Sequence, residues 1–192
     1  MGISTEDIVK YFPIKNSYKY VDAILSANDY SIIGSYRFKE EEFFYKGHFP
    51  GYPVTPGAIL TESAVQIGLL AFGMYLLGNG HIELSNVHND LFGNQLQAIP
   101  AIGAISSIDH SDLPPDIDPS ILSNRFFLTS TDMTFKRVVL PGEQIIVEAE
   151  KVFFKLNKLK TRVTVKTPGD DVISTGVISG FVINVTEWKV GW

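Results

Sequence analysis

The stretch from Gly57 to Leu77 constrains the fold most strongly, because it is long and apolar on nearly every side of a helix. Its apolar side chains do not keep to one helical face: Ile59, Leu60, Val65, Ile67, Leu69, Leu70, Phe72, Met74 and Leu76. A surface helix keeps a polar face towards water, so a helix of this kind must be covered on all sides. Its length also fits a membrane span, but no basic residues flank it and polar residues interrupt it: Thr61, Glu62, Ser63 and Gln66. We therefore expect a helix buried within protein and no membrane partner.

Capping and helix-breaking residues predict where this helix begins and ends. Thr55 has the side chain of an N-cap, and Pro56 suits the first helical position. The sequence Gly78-Asn79-Gly80 should end the helix. The chain before it, residues 39–56, mixes glycine and proline with aromatic residues, which predicts a packed loop without helix or strand.

Six β-rich runs accompany the helix, two before it and four after it: residues 18–26, 31–38, 125–136, 143–156, 160–167 and 172–185. Asn28-Asp29 between the first two is a hairpin signal, and turn residues separate the last three, which predicts an antiparallel meander. The order is typical of an α+β fold in which an antiparallel sheet wraps around one helix. We expect a single domain over residues 1–192, with a loop-rich inserted segment at residues 79–124 that contains four prolines.

Composition excludes several classes of function. The 192 residues include 16 Lys+Arg against 21 Asp+Glu, and the net charge of −5 argues against a nucleic-acid partner. Cysteine is absent, so there is no Cys nucleophile, Cys-ligated zinc or iron–sulfur cluster. The first residues contain no basic stretch followed by an apolar run, so we expect no secretory signal and a cytoplasmic location.

Glu62 is the first candidate for chemistry, because it is an ionisable group within an apolar helix. Gln66 follows four residues later and therefore lies on the same helical face. A buried carboxyl group is costly unless it is protonated, paired or functional. A structural reading stays open, since an acid in the first turn also complements the helix dipole.

His48 is the second candidate. It lies in the loop of residues 45–57. Prolines restrict the backbone of this loop, which favours a fixed position of the side chain, and glycines without side chains allow a ligand to approach the backbone. A lone histidine is often structural, but this one comes directly before the helix that carries Glu62. The remaining histidines have no spacing typical of metal ligands, and we expect no metal: His81, His88 and His110.

The loop and the helix start together resemble the signature of the FabZ-type 3-hydroxyacyl-[acyl-carrier-protein] dehydratases. The matching residues are Gly47-His48-Phe49-Pro50-Gly51-x-Pro53-Val54-x-Pro56-Gly57-Ala58-Ile59-Leu60, followed by Glu62-x-x-x-Gln66. Two flanking stretches are also similar to the family: Pro13 through Val21-Asp22, and Thr134-Phe135-Lys136-Arg137-Val138-Val139-Leu140-Pro141-Gly142-Glu143-Gln144. The stretch after Pro13 departs from the family pattern, since Ile14-Lys15-Asn16-Ser17 stands where the family has histidine, arginine, tyrosine and proline.

The resemblance implies a hotdog fold and a homodimer with shared active sites, in which His48 of one chain faces Glu62 of the other. A higher oligomer or a heterodimer is also compatible with it. His48 would remove the proton next to the thioester carbonyl, and Glu62 would protonate the departing hydroxyl group. The Gly57 N–H would stabilise the enolate oxygen, and Gln66 would orient Glu62.

The implied substrate is a 3-hydroxyacyl chain on the phosphopantetheine arm of acyl carrier protein, with no other cofactor, in fatty-acid or specialised polyketide or polyene synthesis. Lys136 and Arg137 would dock the carrier protein, or would be ordinary solvated charges. The segment 79–124 would cover or reshape the tunnel mouth. Two alternatives remain: a hotdog acyl thioesterase, and a non-catalytic hotdog subunit of a heterodimeric dehydratase.

Overall fold

A computed structural model describes residues 2–84 and 124–184 of the chain. Its elements are α1 (Thr5–Lys10), β1 (Ala23–Ala27), β2 (Ser31–Arg37), α2 (Gly57–Gly78), β3 (Asn124–Phe135), β4 (Gln144–Lys155), β5 (Lys158–Lys166) and β6 (Val172–Asn184). Short 3₁₀ turns lie at Asn16–Tyr18 and Phe43–Lys46. Most of the segment 79–124 lies outside the described residues.

The strands form one antiparallel sheet in the order β1-β2-β4-β5-β6-β3. The hairpin β1–β2 and the meander β4–β5–β6 are the neighbours that the sequence predicts. Helix α2 connects β2 to β3, which pairs with β6 at the far edge of the sheet. Strands from both sides of the segment 79–124 therefore belong to the same sheet, and the α+β prediction is confirmed.

Helix α2 is the centre of the core, as its apolar pattern predicts. Gly57–Gly78 is long and apolar enough to cross a membrane, but 72% of its most apolar window is buried inside the protein. Ile67, Leu69 and Phe72 are fully buried. The middle of the helix, Gln66–Ala71, is π-helical, with α-helical turns on either side. The helix is therefore packed inside the protein, as a core helix is.

The first strand is shorter than the sequence predicts. It was expected from residue 18, but β1 begins at Ala23. The backbone of Tyr20 bonds to side chains of α2 instead of to a strand: its N–H donates to Gln66 Oε1 at 2.7 Å, and its carbonyl accepts from Ser63 Oγ at 3.0 Å. Only at Asp22 does an N–H reach β2, donating to the Ser35 carbonyl at 2.8 Å. This stretch consequently runs along the helix and enters the sheet only afterwards.

The start of α2 also differs from the prediction. The helix begins at Gly57, Pro56 occupies the N-cap, and no side chain caps it. Thr55 does not act as the N-cap because its groups bond elsewhere. Its hydroxyl lies 2.7 Å from that of Tyr45, and its N–H donates to the Val139 carbonyl at 2.8 Å. Thr55 therefore connects the end of the loop to Tyr45 and to Val139.

Gly68 allows the helix to lie directly on the sheet. A Cβ atom there would lie 3.1 Å from side-chain atoms of Ala149 and Val163, and 3.2 Å from Ile178. These neighbours belong to β4, β5 and β6, and all three are fully buried. A larger residue would have to push the helix away from the centre of the sheet.

We expect Gly68→Val to lower the free energy of unfolding by about 1–3 kcal/mol, the usual cost of overpacking a core. Urea denaturation followed by circular dichroism measures the change. Gly169→Ala is the matched control, because the nearest atom to its added Cβ lies at 3.7 Å and we expect a change within about 0.5 kcal/mol. Equal losses in both variants would contradict the close approach at Gly68.

Candidate functional site

The loop before α2 is packed against the body of the protein, as the sequence predicts. Its 3₁₀ turn, Phe43–Lys46, buries Phe44 and Tyr45. Glu42, which precedes this turn, is also buried and accepts hydrogen bonds from the Tyr36 hydroxyl and the Lys39 N–H. Burial and the hydrogen bond to Glu42 raise the pKa of Tyr36, because both favour the neutral phenol. The buried hydrogen bond between Tyr36 and Glu42 thus attaches the start of the loop to β2.

His48 is fixed within this loop by backbone contacts on both sides. Its N–H donates to the Phe44 carbonyl at 2.9 Å, and its own carbonyl accepts from the Val54 N–H at 2.9 Å. The ring stacks on Phe49, with centroids 4.2 Å apart. Ring nitrogen Nδ1 lies 3.0 Å from the Val54 carbonyl oxygen, which can only accept. Nδ1 therefore carries the proton, and Nε2 is the basic nitrogen of the neutral ring.

Gln66 connects Glu62 to the N-terminal part of the chain. The Gln66 side chain is fully buried, and its Nε2 donates to Glu62 Oε1 at 2.9 Å and to the Tyr18 carbonyl at 2.7 Å. Its Oε1 accepts the Tyr20 N–H at 2.7 Å. The neighbours fix which way the amide points, because an N–H lies on one side and two oxygens lie on the other. Glu62 is partly exposed.

Gly57 is the first residue of α2, so its N–H lies in the first turn and has no acceptor within the helix. Within residues 2–84 and 124–184, no acceptor binds that N–H, as is usual in a first helical turn. A Cβ atom at Gly57 would lie 3.3 Å from the Phe135 ring. A larger residue at position 57 would therefore crowd the space between the Gly57 backbone and the Phe135 ring.

The basic pair is placed beside the end of β3. Lys136 is exposed, and its N–H continues the pairing with the Ile173 carbonyl at 2.8 Å. Arg137 forms an ion pair with Glu143, at 2.7 Å between Nη2 and Oε1. Glu143 also accepts the Leu140 N–H at 2.8 Å, so it stabilises the turn between β3 and β4. Arg137 therefore has a structural contact, while Lys136 extends into solvent.

Within one chain the structure joins Glu62 to Gln66 by a hydrogen bond, whereas His48 bonds to Val54. No hydrogen bond or ion pair joins the His48 and Glu62 side chains among the described residues. The expected pairing of His48 and Glu62 across two subunits stays a prediction. Sequence reasoning missed Ser63 and Tyr18, although a serine in an apolar helix indicates a buried polar contact. No group of three His, Asp or Glu side chains suited to a metal ion occurs in the part of the chain that the structure describes.

The sequence of the chain is similar to those of known dehydratases. A family model described as ApeI dehydratase matches residues 25–89. A 3-hydroxyacyl-[acyl-carrier-protein] dehydratase FabZ of Hydrogenobaculum is 26% identical over 162 residues, which are 83% of this chain and 82% of that protein. The chain is thus similar in sequence to the FabZ-type dehydratases. The first two curated FabZ relatives, from Acinetobacter, are 33% and 36% identical over 75 and 70 residues, so the chain spans only about half of their length.

Solved structures confirm the hotdog fold that the sequence resemblance implies. The dehydratase heterocomplex ApeI:P of Xenorhabdus doucetiae superposes with a TM-score of 0.61 at 10% identity, over 94% of this chain and 93% of that one. A thioesterase of Haemophilus influenzae superposes with a TM-score of 0.58 at 12% identity, over 97% and 95% of the two chains. At these identities the likeness concerns the fold alone.

We expect Gln66→Met to lower the free energy of unfolding by about 2–3 kcal/mol, because the buried Tyr20 N–H loses its acceptor. Thermal and urea unfolding measure the loss. Gln144→Met is the control, since Gln144 accepts a hydrogen bond from the exposed Arg37 and its loss should cost less than about 1 kcal/mol. A Gln66 variant as stable as the control would contradict the buried network.

Proposed function

We propose that the protein removes water from a 3-hydroxyacyl thioester carried on acyl carrier protein and releases the trans-2-enoyl thioester. The observation that carries this proposal is the position of His48, whose Nδ1 is held by the Val54 carbonyl in the loop that leads into the helix of Glu62. The FabZ relatives support the same reaction, because their name states the activity.

The residue types fit the chemistry of the elimination. Nε2 of His48 takes the proton from C2, and the electron pair of that bond moves towards the thioester carbonyl. The Gly57 N–H, at the positive end of the helix dipole, stabilises the developing enolate oxygen. The carboxyl group of Glu62 then protonates the C3 hydroxyl as the C–O bond breaks, and one water molecule leaves. The reaction is redox-neutral, so it needs no redox cofactor. The proposed substrate is carried on the phosphopantetheine arm of acyl carrier protein.

The proposal includes a homodimer in which each site combines His48 of one chain with Glu62 of the other. The absence of a His48–Glu62 hydrogen bond within the described part of one chain fits this arrangement. A heterodimer is the alternative assembly, since one structural relative is a heterocomplex. Lys136 is the better candidate of the basic pair for contacting an acidic carrier protein, because Glu143 already pairs with Arg137.

We expect the purified protein to convert 3-hydroxyacyl thioesters of acyl carrier protein or N-acetylcysteamine to enoyl thioesters, detected by mass as loss of water. His48→Ala and Glu62→Gln should each lower kcat by about 10²–10⁴-fold, the range for loss of a general acid or base. His81→Ala and Glu41→Gln are controls outside the site. Release of free acid would favour the thioesterase instead, and product only with a second protein would favour the non-catalytic subunit.

A shared site has a further consequence for mixed dimers. When inactive His48→Ala and Glu62→Gln chains are unfolded, mixed in equal amounts and refolded, half of the dimers are mixed, and each of these has one intact site. We therefore expect recovery of about a quarter of the wild-type activity. Each variant refolded alone is the control. No recovery from the mixture would place both groups in the same chain.

A further inference from the structure

The hairpin of β4 and β5 carries a concentration of positive charge that the proposed mechanism does not use. Residues 151–166 contain six of the chain's 16 Lys+Arg and no Asp or Glu, although the whole chain has a net charge of −5. Both strands lie inside the sheet, so these charges do not protect an exposed sheet edge. The basic residues therefore need another explanation: Lys151, Lys155, Lys158, Lys160, Arg162 and Lys166.

The two halves of the hairpin differ in how their charges are paired. Far from the turn, Lys166 bonds to Glu148 at 2.6 Å, and Arg162 lies 3.7 Å from Glu150. Near the turn, three lysines form no ion pair with the residues that the structure describes: Lys155, Lys158 and Lys160. The hairpin is thus balanced in one half and positive in the other.

The three lysines share one face of the sheet with an aromatic ring. In the strand register, Lys155 is opposite Lys158, and Phe153 is opposite Lys160. Opposed residues of antiparallel strands project to the same face. This face points away from the core, because the alternate residues of β5 are the fully buried ones: Leu159, Thr161 and Val163. Like charges directly opposite each other destabilise a strand pair, so Lys155 and Lys158 favour an anionic partner.

The turn of the hairpin adds exposed apolar side chains. Leu156 and Asn157 form it, and both have left-handed backbone, with φ of 50° and 59°. Such backbone suits asparagine or glycine and is unfavourable for leucine. Leu156 is nevertheless 49% exposed there, and Val152, at the irregularity of β4, is 48% exposed. Apolar groups therefore stand in solvent directly beside the lysines.

Together these residues form the hairpin patch: Val152, Phe153, Lys155, Leu156, Lys158 and Lys160. Within one chain it lies at the other end of the sheet from the start of α2. Lys158 is opposite Phe181, which pairs with Phe127 near the beginning of β3. The Phe135 ring, at the far end of β3, lies against Gly57. The eight residues between these two phenylalanines span about 25 Å of strand, so the patch is separate from the candidate site of its own chain.

We propose that the hairpin patch is a contact site for a bilayer surface that contains anionic lipid. The negative headgroups attract the lysines, and the Leu156 and Phe153 side chains enter the boundary between headgroups and acyl chains. Interfaces between folded proteins are poor in lysine and rich in arginine and tyrosine, whereas this patch is charged by lysine alone. The expectation of no membrane partner concerned α2 as a span, and α2 stays buried in this contact.

Co-sedimentation of the full chain with lipid vesicles tests the contact. We expect binding to vesicles of phosphatidylcholine mixed with phosphatidylglycerol, and binding at least about tenfold weaker to phosphatidylcholine alone. Added sodium chloride should release the protein, because it screens the attraction between the lysines and the headgroups. Absence of binding to the anionic vesicles would overturn the proposal.

The patch variant exchanges its three lysines for glutamine: Lys155→Gln, Lys158→Gln and Lys160→Gln. We expect its partition coefficient to fall about 100-fold, because each lysine near an anionic surface contributes a factor of about five. The matched control removes the same charge from three exposed lysines on other parts of the chain: Lys39→Gln, Lys46→Gln and Lys136→Gln. Its partition coefficient should change less than about threefold, since only the net charge differs. Equal losses in the two variants would show that no specific face binds.

Leu156→Asn tests the apolar contact without a loss of fold, because asparagine suits the left-handed backbone of the turn. We expect about fivefold weaker binding to the anionic vesicles with the free energy of unfolding unchanged or raised. Binding equal to that of the wild type would contradict entry of the turn into the bilayer.

Two other partners are distinguished by the same variants. Capture of acyl carrier protein that the patch variant loses, without vesicle binding by the wild type, would overturn the proposal in favour of an acidic protein. A smaller oligomer in the patch variant by light scattering, again without vesicle binding, would overturn it in favour of a contact between copies of the chain. Neither result bears on dehydration, which the activity of the wild-type protein tests separately.

Discussion

The side-chain amide of Gln66 is the polar contact on which the packing around the central helix depends. It lies in the mostly buried helix α2, where a buried amide is costly unless every part of it is hydrogen-bonded. Its oxygen accepts the Tyr20 N–H, and its nitrogen donates to Tyr18 and Glu62. A shift of residues 18–20 along the helix would break these bonds together. The amide therefore fixes where the N-terminal part of the chain crosses α2.

The other sides of α2 are covered by apolar contacts with the sheet. The contact at Gly68 brings the helix backbone onto β4, β5 and β6. The π-helical stretch Gln66–Ala71 begins at the buried amide itself. An extra residue per turn rotates the later part of a helix relative to the earlier part, so Glu62 and Ser63 need not share a face with the apolar residues that follow. Such turns are frequent at functional sites, and this one starts one turn after Glu62.

The sequence was sufficient to predict the central helix, the meander and the residues Gly57, Glu62 and Gln66 on one helix, because apolar content and turn chemistry are local signals. It did not predict that β1 begins at Ala23. A β-rich run looks the same whether its backbone bonds to a strand or to helix side chains, and only the fold brings Ser63 and Gln66 to Tyr20. The Thr55 cap was wrong for a similar reason, since Tyr45 and Val139 compete for its groups.

The same hydrogen bonds connect the stability of the N-terminal segment with the orientation of the candidate acid. Gln66 Nε2 has two protons, of which one binds the Tyr18 carbonyl and the other binds Glu62. Loosening residues 16–20 would therefore remove the Tyr18 and Tyr20 partners of the amide, and Gln66 would no longer be held in the orientation from which it donates to Glu62. In this chain the stretch after Pro13, which departs from the FabZ pattern, leads directly into the contacts that hold Gln66 beside Glu62, so sequence changes there act on the candidate site without touching His48.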